Sequence, residues 1–296
     1  MRRLWISMLL FVALVVVAGC AKTAAPTATS APAAQPTATT AAAQPPAAPQ
    51  GGQIQIAGST TVQPLAEVLA EAFMGMNPDL VIEIQGGGSS VGVTSAGEGT
   101  VDIGNASRNV KDSEKTEFPN LQIVTIAYDG IAIVTHPDIK LDTLSVEQVK
   151  NIFAGEITNF NEVGGPDAAI IVVSREEGSG TRAAFEELVM EEGEEKVIFE
   201  RALLQQSNGQ VRTTVATTPN SIGYLSFGFL DDSTQIVPID GVAPSAANVK
   251  NGSYPIFRPL NMLTNGEPTG IVAAFLDYIL SADGQAIVAE DYITVQ

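Results

Sequence analysis

Gln53-Ile54-Gln55-Ile56-Ala57-Gly58-Ser59-Thr60-Thr61-Val62-Gln63-Pro64-Leu65 carries a strand, a turn and the start of a helix in one unbroken run. Gln53–Ala57 alternates polar and apolar, the period of a half-buried strand. Leu65, Val68, Leu69, Ala72, Phe73 and Met76 then recur at helical spacing. Pro64 falls in the first turn of that helix, where its missing N–H is not needed. Asn77-Pro78-Asp79 stops the helix, and Leu80–Gln85 reads as the next strand.

The same alternation continues along the chain. A short helix is predicted near Ser90–Gly97, then strands at Asp102–Ala106, Leu121–Ala127 and Gly130–Thr135. Helices follow at Ser145–Phe153, Thr181–Val189, Gln210–Ala216, Ala243–Asn251 and Gly270–Leu280, with strands at Ile170–Ser174, Ile222–Leu225 and around Ile256–Leu263. Strands alternating with helices predict an α/β fold with largely parallel sheets covered on both faces. Ligands in such folds sit beyond the carboxyl ends of the strands.

Three strand-to-helix turns share one chemistry. They are Gly58-Ser59-Thr60-Thr61, Gly86-Gly87-Gly88-Ser89-Ser90 and Arg175-Glu176-Glu177-Gly178-Ser179-Gly180-Thr181. Glycine lets the backbone approach a ligand, hydroxyls donate without adding charge, and helix N-termini offer unpaired N–H groups. Any one such turn is an ordinary helix cap. Three together, with Arg175 in one and Ala106-Ser107-Arg108 after the third strand, point to a shared anion pocket. A planar guanidinium suits a tetrahedral oxyanion because it donates two hydrogen bonds at once.

The N-terminus speaks for the compartment. Arg2 and Arg3, an apolar Leu9–Val17 and the small Ala18-Gly19-Cys20 have the order of a secretory signal. The apolar run is shorter than the about 20 residues that a membrane span needs. Its end resembles a bacterial lipobox, so residues 1–19 are expected to be removed and Cys20, the only cysteine, to be lipidated. Residues 20–52 read as a disordered tether: 25 of the 30 residues at 21–50 are Ala, Thr or Pro, which bury nothing. Its reach is roughly 30 Å as a coil and about 90 Å drawn out as polyproline II.

The chain carries 15 Lys+Arg against 33 Asp+Glu. Losing Arg2 and Arg3 with the signal leaves 13 basic side chains and a net charge of −20. So acidic an exterior argues against nucleic acid as a partner. It does not decide against a small anion, because exposed charge is screened beyond about 8–10 Å at physiological salt. There is no G-x-x-x-x-G-K-[ST] loop for ATP. Neither a cofactor nor a metal is expected.

Taken in order and at their spacing, several segments resemble the phosphate-binding proteins of bacterial phosphate ABC importers. They are Ala57-Gly58-Ser59-Thr60-Thr61 with Pro64, Gln85-Gly86-Gly87-Gly88-Ser89-Ser90, Asp102-Ile103-Gly104-Asn105-Ala106-Ser107-Arg108, Arg175 to Thr181, and Tyr254-Pro255-Ile256-Phe257-Arg258-Pro259-Leu260. The resemblance implies a two-lobed periplasmic-binding-protein type II fold, with two interlobe crossings and the ligand between the lobes. With crossings near Thr135 and Met262, residues 53–134 and 263–296 would form one lobe and 135–262 the other. It implies phosphate binding by Thr60, Thr61, Ser89, Arg175, Ser179, Gly180 and Thr181; the residues themselves add Ser107 and Arg108 as candidate phosphate ligands, with Ser59 and Ser90 in support. It also implies that Glu177 pairs with Arg175. The partners implied are inorganic phosphate and the permease and ATPase subunits of an importer, with the receptor itself a monomer.

Arg108 departs from the family's commoner pattern, in which an aspartate after Ala-Ser accepts the proton of hydrogen phosphate. Either Asp102 or Asp129 could serve instead. Two rival readings follow from the residues. Arg108 suits a receptor for sulfate, molybdate or tungstate on the same fold. Gly88-Ser89-Ser90-Val91-Gly92 matches the G-x-S-x-G of a hydrolase nucleophile elbow, but the only histidine, His136, precedes where a triad would place it.

Overall fold

The computed structural model describes residues 52–190 and 198–295. The expected signal segment, Cys20 and the tether lie outside these, apart from Gly52. From the first described residues the chain forms β1 (Gln53–Gly58), α1 (Val62–Met76), β2 (Val81–Gly86), α2 (Ser89–Glu98), β3 (Ile103–Ala106) and α3 (Asp112–Glu117). The long β4 (Leu121–Thr135) leads to α4 (Val146–Phe153), β5 (Ile171–Arg175), α5 (Gly180–Phe185), β6 (Leu203–Gln205) and α6 (Asn208–Thr217). Then come β7 (Ser221–Ser226), β8 (Gln235–Val237), α7 (Ala246–Lys250), β9 (Phe257–Asn265), α8 (Gly270–Leu280) and α9 (Ala282–Asp291).

The strands join in the order β2-β1-β3-β9-β4-β7-β5-β6, with β8 also on β4. The expectation of largely parallel pairing holds at the two flanks, where β1 pairs with β2 and β3, and β5 with β6 and β7. The centre is antiparallel, because β9 runs against both β3 and β4, and β4 runs against β7 and β8. The fold is therefore mixed α/β.

Two strands expected at Leu121–Ala127 and Gly130–Thr135 are one 15-residue strand. Tyr128-Asp129-Gly130 reads as a break, yet these residues pair with Pro259, Arg258 and Phe257 inside the ladder. Gly130 is needed there, since a Cβ would collide with the Phe227 ring. Immediately after it, Ile131–Thr135 exchanges β9 for β7.

Helix α1 buries Val62, Leu65, Ala66, Leu69, Ala70 and Phe73 along one stripe; of the expected apolar positions Leu65, Leu69 and Phe73 face the core, while Val68 and Met76 are exposed. The buried side chains pack with Ile54, Ile56, Met262, Phe275 and Ile279 in one core. A second core holds Ile131, Ile133, Phe153, Phe185 and Tyr224, and the Phe185 and Tyr224 rings stack at 4.2 Å. Each large apolar side chain so buried contributes about 1.5–3 kcal/mol. Helix α2 lies directly on the β3 backbone, and a Cβ on either Gly92 or Gly104 would collide with the other element's main chain. Among the described residues no single helix is long and apolar enough to cross a membrane.

Candidate anion site at the strand ends

The three turns singled out in the sequence converge. β5 runs opposite to β1 and β2 in the sheet, and the residues leaving the ends of these three strands meet. Ser59 Oγ donates to Ser107 Oγ at 2.8 Å, and Ser107 N–H donates to Ser89 Oγ at 3.0 Å. Ser90 N–H donates to Gly178 O at 3.1 Å, tying the second turn to the third. Thr61 Oγ1 and Thr181 Oγ1 are 3.2 Å apart. Gly180 leaves room for this meeting, because a Cβ there would run into the hydroxyls of Ser89 and Ser107. Ser59, Thr61, Ser89, Ser107, Ser179 and Thr181 are all buried.

Local capping accounts for part of this geometry. Ser179 Oγ accepts from Arg182 N–H at 3.2 Å and caps α5. Ser59 Oγ accepts from Thr61 N–H at 3.1 Å at the entrance to α1. Capping does not explain the rest, since Ser89, Ser107 and Thr61 spend their hydroxyls on groups from other turns.

Arg175 is almost completely buried at the end of β5. Its Nη2 reaches Thr60 Oγ1 at 3.3 Å and its Nη1 reaches Thr181 Oγ1 at 3.5 Å. The carboxylate that holds it is Glu176, at 2.9 Å from both Nε and Nη2. This corrects the expectation that Glu177 pairs with Arg175. The chain leaves β5 so that the first acidic side chain folds back on the guanidinium, while Glu177 faces a neighbouring cleft.

Arg108 is also held differently from what the pattern implies. Both of its terminal nitrogens engage Glu114, at 2.7 and 2.8 Å, and they also reach Ser90 Oγ and Asn109 O. Burial works to raise the Glu114 carboxyl, but Arg108 and the Lys111 N–H together hold it below its ordinary value. Arg108 lines a cleft of about 380 Å³ with Glu177, Ser179 and Arg182.

Of the two proposed proton acceptors, Asp102 is placed elsewhere. It precedes β3, whereas Ser107 follows it, and its carboxylate accepts from Gln55 N–H at 2.8 Å. A strand of that length separates the two by roughly 15 Å. Asp129 lies deep in the fold: Oδ2 accepts from Arg258 Nε and Nη2 at 3.2 and 2.9 Å, Oδ1 from Ser226 Oγ and Phe227 N–H at 3.0 and 3.1 Å. Burial pushes the Asp129 carboxyl up despite the Arg258 charge beside it.

Arg258 also reaches the hydroxyl cluster and was passed over by reasoning from sequence, although it stands inside the Tyr254–Leu260 segment quoted for the resemblance. Its Nη2 donates to Thr61 Oγ1 at 3.1 Å. Asn208 Nδ2, also not foreseen, donates to the same oxygen at 2.8 Å. The nucleophile-elbow reading finds no support in the geometry. Ser90 Oγ accepts from Arg108, and His136 contacts Asp138 in the loop beyond β4.

A mixed sheet whose strand-end turns gather buried hydroxyls and guanidinium groups defines a solute-binding protein, and the profile of the PBP superfamily domain matches residues 43–283. Within that superfamily the chain belongs to the PstS family of phosphate-binding proteins. It is 38% identical over 247 residues to the phosphate-binding protein PstS of Bacillus subtilis strain 168, covering 82% of this chain and 81% of that one. A candidate phosphate ABC transporter substrate-binding protein from Clostridium perfringens, solved with bound phosphate, is 43% identical with a TM-score of 0.79. The alignment covers 83% of this chain and all of that one. An ABC-type phosphate transport receptor from Vibrio cholerae is 32% identical with a TM-score of 0.69, over 81% and 99% of the two chains.

Proposed function

We propose that this chain is an extracytoplasmic receptor that binds inorganic phosphate and delivers it to the permease and ATPase of an ABC importer. The observation that carries the reading is the convergence of three hydroxyl-bearing turns, the first and third of which the buried Arg175 reaches. Such a site binds and orients an oxyanion with fixed donors. Among the described residues no histidine or thiol stands at this cluster, and the similar protein from Vibrio cholerae is named a phosphate transport receptor.

Binding is between two lobes in this reading. The lobes are then residues 53–134 with 263–296 and residues 135–262, with crossings near Thr135 and Met262, and the change of partner from β9 to β7 at Gly130–Ile131 supports a crossing on β4. Cys20 carries the lipid anchor in this reading. Cys20→Ser should release the protein from the membrane fraction or block its processing, and unchanged retention and processing would overturn the anchor.

Titration calorimetry of the mature protein against phosphate, sulfate, molybdate and tungstate tests the ligand. Phosphate should bind most tightly. A second reading, a receptor for another tetrahedral oxyanion, draws on the commitment of Arg108 to Glu114 and of Asp129 to Arg258, which leaves the usual basis for rejecting sulfate missing. Tighter binding of sulfate, molybdate or tungstate than of phosphate would decide for it.

A further inference from the structure

Arg258 is held inside the protein at 2% exposure. A guanidinium has five N–H donors and no acceptor, so burying one is costly unless its donors are met. Two of the three nitrogens are provided for: Nε and Nη2 reach Asp129, and Nη2 also reaches Thr61 Oγ1. Nη1 is buried and has no hydrogen-bond partner among the described residues. Asp129 cannot take it as well, because its two oxygens already accept four hydrogen bonds.

Buried donors in folded proteins are nearly always paired, and an exception marks a place with another purpose. This one belongs to a side chain that touches Thr61, the residue on which Thr181 and Asn208 also converge. Burial lowers the proton affinity of Arg258, and Arg175 lies near enough to lower it further. Two like charges at such range are stabilised by an anion between them. Arg108 offers no equivalent, since its fork is closed on Glu114.

We infer that Arg258, held by Asp129, is a second anion-gripping guanidinium, in the role that the sequence pattern assigns to Arg108. The inference rests on the oxyanion-receptor reading and adds to it the residue that completes the grip. Asp129 acts as a positioning residue, with its carboxylate turned to Arg258 and not to the ligand.

The test is calorimetry of the mature protein with phosphate, on the wild type, Arg258→Gln, Arg258→Lys and Arg212→Gln. Arg212 pairs with Asp231 at the surface and serves as the control. Arg258→Gln should weaken binding roughly 30-fold or more, as expected for truncating one side of a buried charged contact. Arg258→Lys keeps the charge without the fork and should fall between, and Arg212→Gln should match the wild type. Because Arg258→Gln leaves Asp129 buried without its partner, a second readout uses the unaltered protein. In ¹⁵N NMR of the arginine side chains, phosphate should shift the Arg258 Nη signals and leave those of Arg212 in place. A folded Arg258→Lys with wild-type affinity, or Arg258 signals indifferent to saturating phosphate, overturns this inference and leaves the phosphate reading standing. A wild type that binds none of the four oxyanions overturns both.

Discussion

Thr61 Oγ1 lies 3.2 Å from Thr181 Oγ1, a contact between hydroxyls 120 positions apart in the chain. Thr61 enters α1 and Thr181 is in the first turn of α5, so the contact joins the two halves of the sheet at the anion site. Thr61 is the busier partner, because its oxygen also accepts from Asn208 and Arg258. Thr61→Val would strip an acceptor from two buried donors, at a cost of about 1–3 kcal/mol. Urea denaturation should show that loss, and phosphate affinity should drop at least tenfold. Thr181→Val should reduce affinity with a smaller change in stability. Equal destabilisation by the two would contradict this division of roles.

Gly180→Ala tests how closely the turns must approach. The backbone at Gly180 is not in the left-handed region, so alanine meets no conformational penalty. Its methyl would meet the hydroxyls of Ser89 and Ser107. Overpacking of that kind costs about 1–3 kcal/mol, and it falls on the turns that form the site. The variant should keep its circular dichroism and lose phosphate affinity by tenfold or more. Wild-type affinity would mean that the turns need not be this close.

The turns were legible because each combines a strand period, a glycine–hydroxyl cluster and a helix period within a dozen residues. What was not legible lacks such local signals. α3 is Asp112-Ser113-Glu114-Lys115-Thr116-Glu117, with no buried residue and so no apolar period. β6 and β8 are three residues each, too short for alternation to register. The Asp129–Arg258 pair is set by the β4–β9 register, which no spacing along the chain reveals. Glu176 and Glu177 are neighbours of the same type, and only the path of the chain after β5 decides which reaches Arg175.

Arg175→Ala should weaken phosphate binding far more than Arg182→Ala. Arg182, in the first turn of α5, pairs with Glu186 at 2.7 Å and donates from Nη1 to Arg175 O at 3.2 Å. Its loss should loosen the turn and cost less than tenfold in affinity. Removing Arg175 takes away a buried charge at the hydroxyl cluster, worth about 2–5 kcal/mol. Equal, small losses measured by calorimetry would place the site elsewhere.

Glu114 gives a pH dependence with a defined sign. Its folded-state pKa lies below the ordinary 4.5, so the unfolded chain takes up protons first as pH falls. The stability from its pairing with Arg108 is complete above about pH 4.5 and is lost as pH falls through the depressed folded value. Glu114→Gln should lower the melting temperature at pH 7, and the gap to wild type should narrow below pH 4.5. A gap that stays constant down to pH 3 would show that the charge on Glu114 contributes nothing.

Sulfate discrimination separates the two aspartates. A carboxylate rejects sulfate when it faces the ligand, because a fully ionised oxyanion has no proton to offer it. Asp102 does not face the strand-end site; it holds Gln55 N–H at the other end of β3. Asp102→Asn should therefore leave phosphate affinity and the phosphate-to-sulfate ratio unchanged. Asp129 is close to the site, but four donors occupy its oxygens, two of them from Arg258. Asp129→Asn exchanges one of those acceptors for an amide donor facing a guanidinium, which should free Arg258 to move. Phosphate and sulfate should then lose affinity together, by tenfold or more, with their ratio preserved. Competition of labelled phosphate against excess sulfate in wild type and both variants measures this directly. If Asp129→Asn kept phosphate and gained sulfate, Asp129 would be the proton acceptor and not the holder of Arg258. If Asp102→Asn admitted sulfate, the strand-end placement of the site would itself be wrong.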